Sequence, residues 1–516
     1  MDAAVIIIGA GPTGLMAACQ LGRYGISAVV VDSKAGPTVQ SRALLVTARS
    51  LEIYDQMGVA ETVVSDGTHV EEASIFTQGT EKLNFQIGAV GQGLTDFPYM
   101  HVYEQSKNEQ LLYDVLSGQG NLVMWDTEFT GLEQDKDGVS VHLIKHLPKE
   151  HTLTLRAKYV IGCDGASSKI RQILNCKFEG GTYNHKFFVA DVKTNLHQTP
   201  GKLILSLAKT HFCAFFPMQG DNNYRVLGTM GKANRLEQDI TFSDVEPDIQ
   251  SALGKPIVID QVNWFSTYRL HHRCVDKFRV GNCFLAGDSA HIHSPAGGQG
   301  MNTGLQDAYN LTWKLAMIFA GLASEKLLDT YHEERYPFAK WLMKFTDRAF
   351  GIVTTNNYII SRIRIYLGPY ILRWFISRPN NGKKMFRTVS QIWYNYRSSS
   401  LSVQLTGKKL KFSAGDRFPY VHTPIEGKML SCYHLFREAK FHLVVIGKTD
   451  SDEESNLIPE RLKGFIKLVS LPITSAWMLL GVKDSLYILV RPDNYIGLLA
   501  DSLDTNTLEN YFRRLY

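Results

Sequence analysis

Gly9-Ala10-Gly11-Pro12-Thr13-Gly14 follows at once on the apolar, β-branched run Val5-Ile6-Ile7-Ile8 and precedes a helical pattern through Leu15, Ala18, Cys19 and Gly22. Strand, tight turn and helix in that order make a pyrophosphate cradle. Gly9 allows the turn, Gly11 lets the backbone approach the phosphates, and Gly14 lets helix and strand pack closely. The free N–H groups of the helix that opens at Pro12 then face the anion. Asp32 ends the next apolar run, Ala28-Val29-Val30-Val31, at the offset where a carboxylate accepts hydrogen bonds from a ribose. Dinucleotide binding is the chemistry these residues are equipped for, and the motif by itself does not choose between FAD and NAD.

Two more buried strands end in turn residues of the same kind. Tyr159-Val160-Ile161-Gly162 leads into Cys163-Asp164-Gly165-Ala166-Ser167-Ser168-Lys169-Ile170-Arg171, and Cys283-Phe284-Leu285-Ala286 leads into Gly287-Asp288-Ser289-Ala290-His291. A glycine-rich loop follows, Ser294-Pro295-Ala296-Gly297-Gly298-Gln299-Gly300-Met301-Asn302, with a helix starting near Asn302. His291-x-His293 and His271-His272 invite a metal reading, but no third or fourth ligand is identifiable, so no metal is expected.

To position these groups the chain needs a parallel sheet with helices, interrupted by antiparallel strands. Partly alternating segments between Val70 and Phe97, and again from about 178 to 272, predict a second sheet lying over the first domain. Asp137-Gly138 marks a hairpin between Glu128–Leu132 and Val139–Leu143. Helical patterning runs on to roughly Ser400, and a compact α/β unit closes the chain. The expected fold class is α/β with an α+β insertion. Residues 1–69, 98–177 and 273–345 form the cofactor domain, 70–97 and 178–272 the substrate sheet, 346–404 a helical bridge and 405–516 the last unit.

The three motifs in this order resemble the FAD-dependent aromatic hydroxylases, the class A flavoprotein monooxygenases typified by p-hydroxybenzoate hydroxylase and phenol hydroxylase. The resemblance runs from Val5 to about Arg335 and implies a Rossmann-type domain with tightly bound, non-covalent FAD. It implies that Asp288 accepts hydrogen bonds from the ribityl hydroxyls, and that Pro295, Gly298, Gly300, Met301 and Asn302 approach the flavin ring. It gives Asp164 and Gly165, supported by Arg171, to both FAD and the nicotinamide cofactor, and brings Arg42 and Gln105 against FAD. NADPH or NADH would bind transiently to reduce the flavin, and O2 would add to form a C4a-hydroperoxide that hydroxylates an aromatic ring.

One departure bears on the substrate: phenol hydroxylase has an Asp base where this chain has Leu44. The catalytic residue is therefore unassigned, and the chain resembles the branch acting on larger phenolic substrates of the aromatic polyketide or antibiotic kind. Phe215, Phe216, Tyr224 and Arg225 are the substrate-contact candidates. Epoxidation, Baeyer–Villiger insertion and a catalytically silent flavin-binding interaction protein are the alternatives. Gly415-Asp416-Arg417-Phe418-Pro419 and Val490-Arg491-Pro492-Asp493 resemble the thioredoxin-like domain of the phenol hydroxylase branch, although its only cysteine here, Cys432, rules out dithiol exchange.

Composition narrows the rest. The chain has 516 residues and a net charge of +5, too small for a nucleic-acid footprint. Seven cysteines without a CxxC pair predict reduced thiols and a cytoplasmic protein. Monomer and homodimer are both open. No apolar run is long enough to predict a transmembrane helix. The basic, aromatic stretch Arg362–Arg387 could rest on a membrane or attract an acidic substrate; the pattern is taken as a packed amphipathic helix with a solvated basic face.

Overall fold

Val5-Ile6-Ile7-Ile8 is apolar on both faces, which suits the middle of a sheet covered on both sides, and it is buried throughout. The computed structural model describes the chain apart from residues 40–42, 197–200, 210, 230–239, 255, 295–296, 356, 448–453 and 516. Strand Ala3–Ile8 pairs in parallel with His151–Gly162 on one side and with Ala28–Val31 on the other. Val123–Met124 and Cys283–Leu285 extend the sheet outwards, again in parallel. Because the order reverses at Ala3–Ile8, the carboxyl ends of these strands open a crevice. The hairpin expected around Asp137-Gly138 is Thr127–Gln134 with Val139–Lys145, and it joins the sheet through the first half of His151–Gly162.

Helix Pro12–Arg23 starts with proline, whose missing N–H would have been unpaired there anyway. It packs against helix Gln299–Phe319. Gly14 makes its approach to the strand possible, since a Cβ there would lie 1.9 Å from the Gly9 carbonyl oxygen.

The inserted sheet has eight strands, among them Phe178–Thr194 and Ile259–Val275, an antiparallel pair of 17 residues each. One face packs on helix Phe242–Ser251 through Phe215, Tyr224 and Val226. The opposite face meets Phe350 through Phe187 and Phe212.

Helix Asp329–Thr354 passes through the expected boundary at residue 345 with Phe338, Leu342, Thr346 and Phe350 buried. The basic stretch keeps its solvated cations, with Arg362, Arg373, Arg378, Lys383, Lys384 and Arg387 exposed, but its apolar face is not packed away: Tyr366, Leu367, Tyr370, Ile371 and Trp374 face solvent, and Arg364 is buried. Arg364 turns inward because it donates to the carbonyls of Ile352 (3.2 Å) and Val353, left free near a helix C-terminus, and to Ala208 (2.9 Å).

The closing unit is a five-stranded sheet in the order Val403–Leu405, Ile496–Ala500, Leu486–Val490, Phe441–Ile446, Ile466–Leu471. Trp313 and Met317, on helix Gln299–Phe319, belong to its hydrophobic core, so it is docked on the first domain rather than tethered. Among the described residues no helix is long and apolar enough to cross a membrane, and no cluster of His, Cys, Asp or Glu forms a metal site.

Candidate functional site

A cavity of about 1010 Å³ lies at the carboxyl ends of the parallel strands, between the two large sheets. Gly11, Pro12 and Thr13 line it, and a Cβ at Gly11 would meet no atom within 4 Å, so the backbone there is open to a ligand. Gly298, Gly300 and Met301 line it from a second helix start, where Gly298 takes φ 64° ahead of Gln299–Phe319. Two helix N-termini thus face one cavity, each carrying about half a positive charge. Such a site suits a ligand with anionic groups at two places.

Asp288 also stands on the wall, and among the described residues the chain donates no hydrogen bond to its carboxylate. Its side chain is exposed to the cavity, and partial loss of solvation against the surrounding atoms raises its pKa, with His291 pulling the other way. A carboxylate left free at such a position is an acceptor awaiting hydroxyl donors. Gln105 and Gly165 complete this side, with Gln105 Nε2 held by Glu109 at 2.8 Å.

Other expected residues shape the site from behind. Asp32 does not line the cavity, and its carboxylate accepts from the N–H groups of Ala10 (2.7 Å) and Lys34 (2.8 Å), which fixes the first turn. Asp164 accepts from Lys169 N and Ile170 N at 2.7 and 3.1 Å, capping a short helix, while Ser289 Oγ donates to it and accepts from Gly165 N. Arg171 donates to Ser289 O at 3.1 Å and tightens the same knot. The Asn302 side chain is spent on the chain, donating to Leu45 O and Gly298 O (both 2.8 Å) and accepting from Thr47 N and Ser50 Oγ. Only its backbone is left for a ligand. Gly9 and Gly14 serve packing, and Arg42 and Pro295 lie outside the described residues.

Sequence reasoning missed the brace beneath Asp288. Asp307 accepts from Gly287 N (3.0 Å), His291 Nε2 (2.7 Å) and Arg335 Nε (2.7 Å), all buried. Burial pushes the Asp307 carboxyl up, but Arg335 and His291 outweigh it and hold its pKa below the usual range. The available signal was an acid set between Leu305, Ala308 and Leu311 on the face of the helix expected to be buried.

On the sheet side, alternation divides the four substrate candidates. Phe216 and Arg225 line the cavity, whereas Phe215 and Tyr224 point to the opposite face and pack under helix Phe242–Ser251. Arg225 makes two 2.6 Å bonds to Asp191, which neutralises it, and donates to Ala43 O at 3.3 Å. Trp264, Tyr268 and Leu227 add apolar wall, and Leu44 stands there too. His293 has its Nε2 buried without a partner among the described residues, and loss of water pulls its pKa down to about 4, so it is neutral at physiological pH. A second, almost wholly apolar cavity of about 190 Å³ adjoins through Leu45 and reaches Tyr99, Met100, Leu203, Phe386 and Val389.

The donors, the open glycine and the free carboxylate fit FAD, and comparison with known proteins agrees. Residues 2–346 match the family model described as an FAD binding domain. The chain is 31% identical over 430 residues to 6-methylpretetramide 4-monooxygenase of Streptomyces rimosus, covering 83% of this chain and 74% of that one. It is 31% identical over 459 residues to pentachlorophenol 4-monooxygenase of Sphingobium chlorophenolicum, covering 87% and 81%. The solved structure of the OxyS anhydrotetracycline hydroxylase from Streptomyces rimosus superposes with a TM-score of 0.80 at 27% identity, covering 100% of this chain and 99% of that one. The chain belongs to the FAD-binding-domain family of aromatic-compound hydroxylases and is an FAD-dependent monooxygenase.

Proposed function

We propose that the protein uses NADPH or NADH and O2 to hydroxylate a large phenolic substrate of the polyketide or antibiotic class. The carrying observation is the two-sided cavity: helix N-termini and Asp288 on one wall, Phe216, Trp264, Tyr268 and Leu227 on the other. Its volume lies at the top of the range for a single drug-sized ligand, and the adjoining apolar space enlarges it further. FAD, when bound, supplies the hydride acceptance and oxygen activation. The chain's residues orient the ring, exclude water and set positive potential where negative charge develops. Leu44 offers no base, and a phenol acidic enough to ionise by itself would need none there.

The chain holds a single glycine-rich fingerprint, which supports a nicotinamide cofactor that binds briefly without a domain of its own. The relatives named for a pretetramide and for pentachlorophenol support an aromatic substrate and leave its size to be measured. The closing sheet, with parallel Phe441–Ile446 and Ile466–Leu471 followed by two antiparallel strands, supports the thioredoxin-like reading. Its one thiol, Cys432, is buried and pushed up to about 12, so a packing role suits it better than redox chemistry.

A graded panel of phenols tests the substrate class. NAD(P)H oxidation should be stimulated most by fused polycyclic phenols; stimulation by single-ring phenols alone would refute it. Asp288→Ala should weaken FAD binding about ten- to a hundredfold, the worth of hydrogen bonds to a charged group. Because that carboxylate bonds nothing in the described chain, the apoprotein should melt as wild type does.

A further inference from the structure

The helical run Tyr358–Arg362, Ile363–Leu367 and Gly368–Ile376 carries an apolar stripe on the wrong side for a packed helix. Ile363, Tyr366, Leu367, Tyr370, Ile371 and Trp374 are spaced three and four apart and so share one face. Each is between 44% and 57% exposed. The opposite face holds Arg364, Ile365 and Pro369, which are buried. A contiguous exposed apolar stripe of this kind marks an interaction surface.

Charge says which partner. Between Tyr358 and Val389 the sequence has seven basic residues and no acidic one, although the whole chain carries only +5. Lys383 and Lys384 are exposed on the next helix, Pro379–Val389. Arg362 lies over the Tyr358 ring (4.4 Å) and Arg378 over Trp374 (4.0 Å), so cations sit at both ends of the stripe. A second copy of this face would bring like charges together. Aliphatic and aromatic side chains rimmed by Lys and Arg match an in-plane contact with an anionic bilayer.

We propose that Tyr358–Val389 is a docking face for an anionic lipid surface, which the protein touches without crossing. Helix Pro379–Val389 also supplies Phe386 and Val389 to the apolar cavity, so an aromatic compound dissolved in the bilayer meets the protein beside its site. That corollary rests on the proposed substrate class, while lipid binding does not.

The test is co-sedimentation of the FAD-loaded protein with phosphatidylcholine vesicles, with and without phosphatidylglycerol. Binding should be at least about tenfold stronger with the anionic lipid and weaken at raised salt. Lys383→Glu with Lys384→Glu, and separately Ile371→Ser with Trp374→Ser, should each lower it about tenfold, with flavin absorbance retained. Failure to sediment with either vesicle, or equal binding to both, overturns the proposal. So does a dimer in light scattering that Ile371→Ser with Trp374→Ser dissolves, since that result assigns the face to a second copy.

Discussion

Arg491→Met is expected to destabilise the folded protein by about 3–5 kcal/mol, the range for removing one partner of a buried ion pair. Arg491 donates to both Glu334 oxygens, at 2.6 and 3.0 Å, and to Asp493 Oδ1 at 3.0 Å, and all three side chains are fully buried. In the variant Glu334 keeps Lys314 at 2.8 Å and Asp493 keeps the Trp313 indole at 3.1 Å, so two buried carboxylates share one cation. Denaturant unfolding would show the loss as a lower midpoint. Arg491→Lys should fall between, because it restores charge without the planar fork.

The effect has a defined pH dependence. Burial alone would raise the Glu334 pKa, but Arg491 and Lys314 outweigh it and hold the group well below the usual carboxylate range. A depressed folded pKa stabilises fully above the unfolded value near about 4.3 and is lost as pH falls through the folded one. The gap between wild type and Arg491→Met should therefore be complete at neutral pH, begin to narrow as pH falls below about 4.3 and close only in strong acid.

Gly14→Ala should abolish FAD binding, by at least about a hundredfold, equivalent to roughly 2.8 kcal/mol. Its Cβ would lie 1.9 Å from the Gly9 carbonyl oxygen and 3.2 Å from Ile7 Cγ2. The main obstacle is backbone, so no rotamer change relieves it, and helix Pro12–Arg23 must lift from strand Ala3–Ile8. That movement withdraws the helix N-terminus from the cavity. Gly11→Ala is the informative partner, since its Cβ meets no protein atom within 4 Å. It should lose FAD affinity while leaving the apoprotein's unfolding midpoint unchanged. Fluorescence titration with FAD and thermal unfolding of the apo forms measure both.

The features legible in the sequence are those written locally. Gly9 to Gly14, the runs ending in Asp32 and Asp288, and the Asp137-Gly138 hairpin each place turn chemistry next to a periodic pattern. Alternation likewise shows that Phe215 and Phe216 point to opposite faces, but which face meets the cavity depends on where helix Phe242–Ser251 packs. The same limit applies to the stripe from Ile363 to Trp374. Its periodicity is visible, yet its direction depends on Arg364 finding free carbonyls at Ile352 and Val353. The Asp307, His291 and Arg335 brace joins residues far apart in the chain, and the role of Asn302 depends on Thr47 and Ser50. Such contacts exist only once the domains have packed.

Turnover under isotopically labelled dioxygen tests the central claim most directly. With a fused phenolic substrate and NAD(P)H, one labelled oxygen atom should appear in the hydroxylated product for each NAD(P)H oxidised, the other leaving as water. Product oxygen derived from water, or NAD(P)H oxidation that yields only hydrogen peroxide across the whole aromatic panel, would contradict the account.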